Sequence, residues 1–285
     1  MRIKLTLALA MIGSVTWLTP AAAQDGPPPP TAAVAPADAV DDADPTAQDA
    51  IGVSVGVTVG SAYAFRGLNV YAADRQRDVA GQVAPWLTYA VPGTAITLTY
   101  WSSYQISGAM RGALIDAGVG AEQDLTVGWS RDLSPTLALA VAANAYVYPF
   151  ADRAMAGVAT PVYVEPAATN TRSGAVDAAV QVAYQRGVQG AIAGYRYAYA
   201  RVSVAREVAI TSTRTVSTAA AYGVKFATPL TDNLHDAQVD VGVPFALPGG
   251  AASTLGLHGA WTDLAGVAAA DELFVWASVD ASVEL

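Results

Sequence analysis

Ile51–Gly67 reads IGVSVGVTVGSAYAFRG. From Val53 to Phe65 every odd position is Val, Ser, Tyr or Phe, and every even position from Gly52 to Ala64 is Gly, Ser, Thr or Ala. Successive side chains of a strand point to opposite faces, so a period of two gives one bulky apolar face and one small, mildly polar face. The run is longer than the roughly five to six residues usual in a soluble sheet. It predicts a long strand whose odd face meets lipid, with Tyr63 and Phe65 at the interface, and whose even face lines a lumen.

Ten more segments carry the same alternation: 82–91, 94–105, 124–131, 136–148, 175–185, 190–204, 215–227, 238–247, 254–263 and 272–285. Short turns at Pro92, Pro135 and Gly187 alternate with long gaps at Leu68–Val79, Ile106–Gln123 and Pro149–Gly174. Short periplasmic turns and long extracellular loops are the asymmetry of an outer-membrane barrel. The predicted class is all-β: an antiparallel up-and-down transmembrane β-barrel. Eleven strands have the wrong parity for a single-chain bacterial barrel. Twelve is therefore favoured, with an extra strand hidden in Val204–Thr213. Ten is the alternative, with two segments of Val202–Leu247 forming one bent strand.

Composition agrees. The 285 residues are 53% hydrophobic and only 14% charged, against about 25% charged in soluble domains. After the N-terminus no run of about 18 apolar residues occurs, which excludes a helical membrane protein. A secreted β-sandwich would carry charge on its outer face, whereas here the second face is mostly Ala, Gly, Ser and Thr. Cysteine is absent, so disulfides, thiolate metal sites and thiol catalysis are excluded. The net charge of −9 argues against a nucleic-acid partner.

Residues 1–23 have the form of a secretory signal peptide: Arg2 and Lys4, an apolar stretch Leu5–Leu18, then Ala21-Ala22-Ala23 before a cut ahead of Gln24. Losing Arg2 and Lys4 would take the formal charge from −9 to −11. Residues 24–49, rich in Pro, Ala and Asp, have little to bury and predict a disordered periplasmic extension. Residues 50–285 are the predicted barrel.

Gly60-Ser61-Ala62-Tyr63-Ala64-Phe65-Arg66-Gly67-Leu68 resembles the opening motif of the TorF-type porin family of Gram-negative outer membranes, whose first strand ends in Tyr-x-Phe-Arg-Gly. In that family an apolar residue and then Ser or Thr usually follow; here Asn69 takes the last place. The C-terminal order is similar: a strand, Pro248-Gly249-Gly250, a strand ending Trp261-Thr262-Asp263, a loop and a final strand. The likeness is sharp over about ten residues. It implies an outer-membrane barrel that acts as a porin. Such barrels commonly end on an aromatic residue read by the insertion machinery; Val283-Glu284-Leu285 would give a weaker signal.

The charged residues predicted to line the lumen or its mouth are Arg66, Asp177, Arg196, Lys225, Asp240, His258 and Asp280, with Glu284 near the end. Arg66 is expected at the mouth, paired with a loop acid such as Asp74 or Asp78. Tyr63, Phe65, Tyr104, Tyr146, Tyr148 and Tyr195–Tyr199 are expected as an interfacial girdle. His235 is expected in a solvated periplasmic turn. His258 faces inward, and Ser278 and Asp280 on the next strand share that interior, yet no motif fixes a catalytic geometry. Neither an enzyme nor a cofactor or metal site is expected. The expected partners are outer-membrane lipid, small solutes and the insertion machinery.

The function that follows is passive diffusion of small solutes through a narrow lumen, since side chains nearly fill an eight-stranded barrel and open channels are typical at about sixteen strands. Small lumen-facing residues favour an opening over a plug. A closed structural or adhesion barrel acting through its loops is the alternative, and an outer-membrane lipid hydrolase using His258 comes third.

Overall fold

The computed structural model describes residues 52–66, 68–71, 79–108, 121–149, 162–189, 196–211, 214–226, 234–247, 251–263 and 273–285. The predicted signal peptide and extension, Asp74, Asp78 and Tyr195 lie outside these residues.

Twelve long strands close into an antiparallel barrel. In chain order they are β1 (Val53–Gly60), β4 (Gln82–Ala90), β5 (Ile96–Gln105), β6 (Ala121–Ser134), β7 (Leu137–Val147), β8 (Val162–Arg172), β9 (Asp177–Gln189), β10 (Arg196–Thr211), β11 (Arg214–Phe226), β12 (Leu234–Ala246), β13 (Ala252–Thr262) and β14 (Phe274–Glu284). Between β1 and β4 lies a small ribbon of β2 (Ala64–Phe65) and β3 (Leu68–Asn69). Each wall strand pairs with its chain neighbours, and β1 closes the ring on β14, from Ser54 opposite Glu284 to Gly60 opposite Ser278.

The alternation does what its period requires. On β6, Leu125 and Val127 are 57% and 53% exposed on the outside, while Asp124, on the inner face of the same strand, is 1% exposed. Val239, Val241, Leu255, Leu257, Val275 and Val279 continue the exposed apolar exterior. Connections alternate too. At one end they are short: 91–95, 135–136, 173–176, 212–213 and 247–251. At the other end they are longer, and we call the two the turn end and the loop end.

Four expectations are corrected. Strand β1 leaves the wall at Gly60 rather than continuing to Phe65. The strand that restores even parity is not in Val204–Thr213, where β10 simply continues to Thr211. It is β8, inside the segment expected to be the loop Pro149–Gly174. The sequence VYVEPAATNTR hides it because Pro166 weakens any strand assignment, and Glu165 breaks the small-residue face. Gly187 is no turn: it lies within β9 at the loop end, opposite Tyr163. His235 is likewise on β12 at the loop end, its Nδ1 2.5 Å from the Tyr222 hydroxyl.

Candidate functional site: a hairpin across the lumen

At Ser61 the chain turns inward. The Ser61 amide still reaches the Ala277 carbonyl of β14 at 2.9 Å, and the Val70 amide donates to the Tyr63 carbonyl at 2.7 Å, which folds residues 63–70 into a hairpin. Tyr63, Ala64, Phe65, Arg66, Asn69 and Tyr71 are all buried. Tyr63 and Phe65 are therefore lumen filling and not part of an interfacial girdle.

Each hairpin side chain finds a different wall strand. The Tyr63 hydroxyl donates to Glu122 Oε2 on β6 at 3.0 Å. The Tyr71 hydroxyl bonds Ser103 Oγ on β5 at 2.9 Å, and Ser103 in turn donates to Gln82 Oε1 on β4 at 2.9 Å. Arg66 crosses furthest. Its Nη2 donates to both carboxylate oxygens of Glu165 on β8, at 2.9 and 2.8 Å, and its Nη1 donates to the Tyr197 hydroxyl on β10. In the ring, β8 and β10 flank β9, the strand opposite β1, so this one side chain ties the hairpin to the far wall.

Arg66 is 4% exposed and Glu165 3%. The pair suits such a place, because each buried charge has its counter-charge in hydrogen-bond contact, the carboxylate chelating the single nitrogen Nη2. Tyr146 donates a further bond to Glu165 Oε1 at 3.0 Å. The guanidinium carbon stands 4.0 Å from the Tyr199 ring centroid and 4.6 Å from that of Phe65, within cation–π reach. Tyr199 donates to Asp236 Oδ1 at 3.1 Å. It lies so close over Gly223 that a Cβ there would sit 2.1 Å from its hydroxyl, so only glycine fits at that point.

The predicted mouth and lumen residues fall as follows. Arg66 is inside, and its acid is Glu165 on a wall strand. Arg196 is exposed on the opposite face of β10 from the buried Tyr197 and Tyr199, so it faces out of the barrel. Tyr146, Tyr148, Tyr197 and Tyr199 are buried inside and do not form a girdle; Tyr104 is half-buried on the outer face. Lys225 is buried inside, its Nζ 5.7 Å from the Phe65 and Tyr197 ring centroids. Asp177 sits exposed at the turn-end rim, accepting from the Gly174 amide at 3.1 Å. Glu284 is the last residue of β14, at the same end.

The remaining three, Asp240, His258 and Asp280, are brought together below the hairpin. His258 Nδ1 is 2.7 Å from Asp240 Oδ1, its Nε2 is 2.9 Å from Ser278 Oγ, and Ser278 Oγ is 3.2 Å from Asp280 Oδ2. Asp280 also accepts from Thr58 Oγ1, at 2.5 Å.

Glu122, Asp124, Glu165 and Asp236 were missed by sequence reasoning, as were the inward tyrosines. The signal for Glu122 and Asp124 was present: two acids at i and i+2 just before an alternating strand share its inner face.

The fold and its filled interior define a class: a closed twelve-stranded antiparallel barrel, apolar outside, with an inward hairpin at the loop end. No family model matches the chain, and no curated protein matches it. Among solved structures it is similar to the KdgM porin, with a TM-score of 0.47 and 4% identity over 81% of this chain and 99% of that one. It is also similar to a NanC porin (0.47, 9% identity, 81% and 98% covered) and to LpxR from Salmonella typhimurium (0.42, 12% identity, 81% and 100% covered). At these values the likeness is one of barrel shape and carries no activity with it.

Proposed function

We propose that this chain is an outer-membrane channel of the TorF type, with a narrow lumen that small solutes cross by passive diffusion. The observation that carries this is the polarity of the two faces. The exterior is a continuous band of Val, Leu, Trp and Ile, which suits hydrocarbon. The interior carries Gln82, Ser103, Gln105, Gln185, Lys225, Gln238 and Ser278, polar side chains where a soluble protein's core would be apolar. Short turns belong on the periplasmic side, which puts the hairpin in the outer half of the barrel. Delivery there would need an export signal and the barrel-insertion machinery.

The hairpin narrows this channel where Arg66 meets Glu165, and a barrel closed at that level is the second reading. Planar-bilayer recording separates the two. Protein that shows heat-modifiable gel mobility, and is therefore folded, should give small, steady single-channel steps. No conductance from such protein would retire the channel and leave the closed barrel.

A further inference from the structure

We propose that Ser278, His258 and Asp240 form a serine-hydrolase site facing the turn end of the lumen, cleaving carboxylic esters with an apolar acyl group. Three adjacent strands build it: β12 supplies Asp240, β13 His258 and β14 Ser278. The registers fix the neighbours, with Asp240 opposite His258 and Ser278 opposite Gly256. Both His258 and Ser278 are 4% exposed.

The order of contacts is the one nucleophilic catalysis needs: carboxylate, imidazole, hydroxyl. With the proton on Nδ1, His258 donates to Asp240 at 2.7 Å, and Nε2 can accept from Ser278 Oγ, 2.9 Å away, once that hydroxyl turns from Asp280. Asp240 is itself held by the Gln238 amide, whose Nε2 donates to Oδ1 at 2.9 Å. The ring of His258 stacks on Trp276, with centroids 4.8 Å apart and planes 18° from parallel. The position of the ring is thus constrained. Gly256 makes the room: a Cβ there would lie 2.4 Å from His258 Nε2 and 2.6 Å from Ser278 Oγ.

A cavity of about 420 Å³ opens at the turn end, lined by Trp86, Pro244, Phe245, Ala252, Thr254 and Asp280 among others; it adjoins the three residues without being lined by them, Asp280 standing between. Its size falls within the roughly 300–1,000 Å³ usual for small-molecule sites, and its mostly apolar wall fits an acyl chain. Asp280, which forms part of that wall, is the group bonded to Ser278. Ser278 Oγ has a single proton, which it donates to Asp280 Oδ2 at 3.2 Å; an ester carbonyl entering from the cavity has to displace that contact before the proton turns to Nε2, 2.9 Å away.

In the first step Ser278 Oγ bonds the carbonyl carbon, its proton passes to Nε2, and the ester C–O bond breaks as that proton moves to the leaving alcohol. In the second, water attacks the acyl-serine, again giving its proton to Nε2, and the carboxylic acid and free Ser278 are released. Ser278 lies in an unbroken ladder between Gly60 and Gly256, so the neighbouring backbone N–H groups are committed. Without a backbone oxyanion hole, turnover should be slower by about 10²–10³-fold, and covalent capture is the sharper readout.

The full folded chain in detergent is treated with a small alkyl fluorophosphonate and analysed by intact mass and peptide mapping. The expected result is one adduct, on Ser278, lost in Ser278→Ala and formed about 100-fold more slowly in His258→Gln, in line with the size of a general-base contribution. Asp240→Asn should slow it as well. Hydrolysis of p-nitrophenyl butyrate should fall in the same order. Folding of each variant is checked by heat-modifiable mobility. No adduct on folded wild type, an adduct elsewhere, or one indifferent to His258 overturns the proposal. Wild-type conductance with no adduct would overturn this site alone, and an adduct on Ser278 in protein that does not conduct would overturn the channel reading alone, so the two failures remain distinct.

Discussion

Arg66 is the only non-glycine among the described residues with a left-handed backbone, at φ 46°. That conformation costs an L-residue roughly 1–3 kcal/mol, so something must offset it. The offset is the ion pair of Nη2 with both Glu165 oxygens, a bond to Tyr197 and the faces of Tyr199 and Phe65. Removing the cation leaves a buried carboxylate with the Tyr146 hydroxyl but no counter-charge, which typically costs about 3–5 kcal/mol. Arg66→Ala should therefore lower the unfolding free energy of the folded barrel by about that amount in a urea titration. The double replacement Arg66→Met with Glu165→Gln should lose distinctly less, because no orphan charge remains. A single-variant loss below about 1 kcal/mol, the scale of an exposed pair, would mean the pair does not hold the hairpin.

At the scale of elements, the hairpin and the wall are separable. The wall has its own continuous ladder, from β1–β4 round to β1–β14, and the hairpin is attached to it mainly by side chains. Replacing residues 61–79 with a short polar turn should leave heat-modifiable mobility intact and raise single-channel conductance several-fold. Unchanged conductance would place the constriction elsewhere. Much of the wall was legible in the sequence because an apolar exterior over a polar interior imposes a strict period of two. Val53–Val59, Leu125–Trp129 and Leu255–Leu257 could be assigned to the outside from that alone. The hairpin was not legible, since Ser61–Phe65 keeps the same alternation after the chain has left the wall. Tyr197 and Tyr199 misled for a related reason: a bulky aromatic reads as lipid-facing, yet here it fills the interior, and Arg196 was placed on the wrong face with them. Of the polar group below the hairpin, His258, Ser278 and Asp280 could be put on one interior. The role of Asp240 as the imidazole's partner needed the β12–β13 register.

For the molecule as a whole, the outer band and the inner charge set separate expectations. Val241 stands outward and opposite Leu257, well inside the apolar belt. Val241→Arg should destabilise the barrel in lipid vesicles by about 2–4 kcal/mol, whereas Leu285→Arg at the rim should cost about 0–1 kcal/mol. Equal costs would mean that the belt is not spanning hydrocarbon. Inside, Glu122, Asp124, Glu165, Asp236, Asp240 and Asp280 outnumber Arg66, Arg201 and Lys225 among the described lumen residues. An acidic lumen concentrates cations, so the reversal potential under a KCl gradient should show cation preference. Glu122→Gln with Asp124→Asn should reduce it, and anion preference in wild type would contradict this charge arrangement.

Because β1 runs without interruption from the seam with β14 into the hairpin, sealing the barrel and filling it belong to one event in assembly. The seam joins residues from opposite ends of the wall, Ser54 with Glu284, so its loop-closure entropy is the greatest of any strand pair and its zippering is expected late. Arg66 must already be on the inner side when that seam zips. Finding Glu165 and Tyr197 on the far wall would then draw β1 toward its place. The side chain that narrows the finished lumen thereby serves, during biogenesis, as a guide for the last strand.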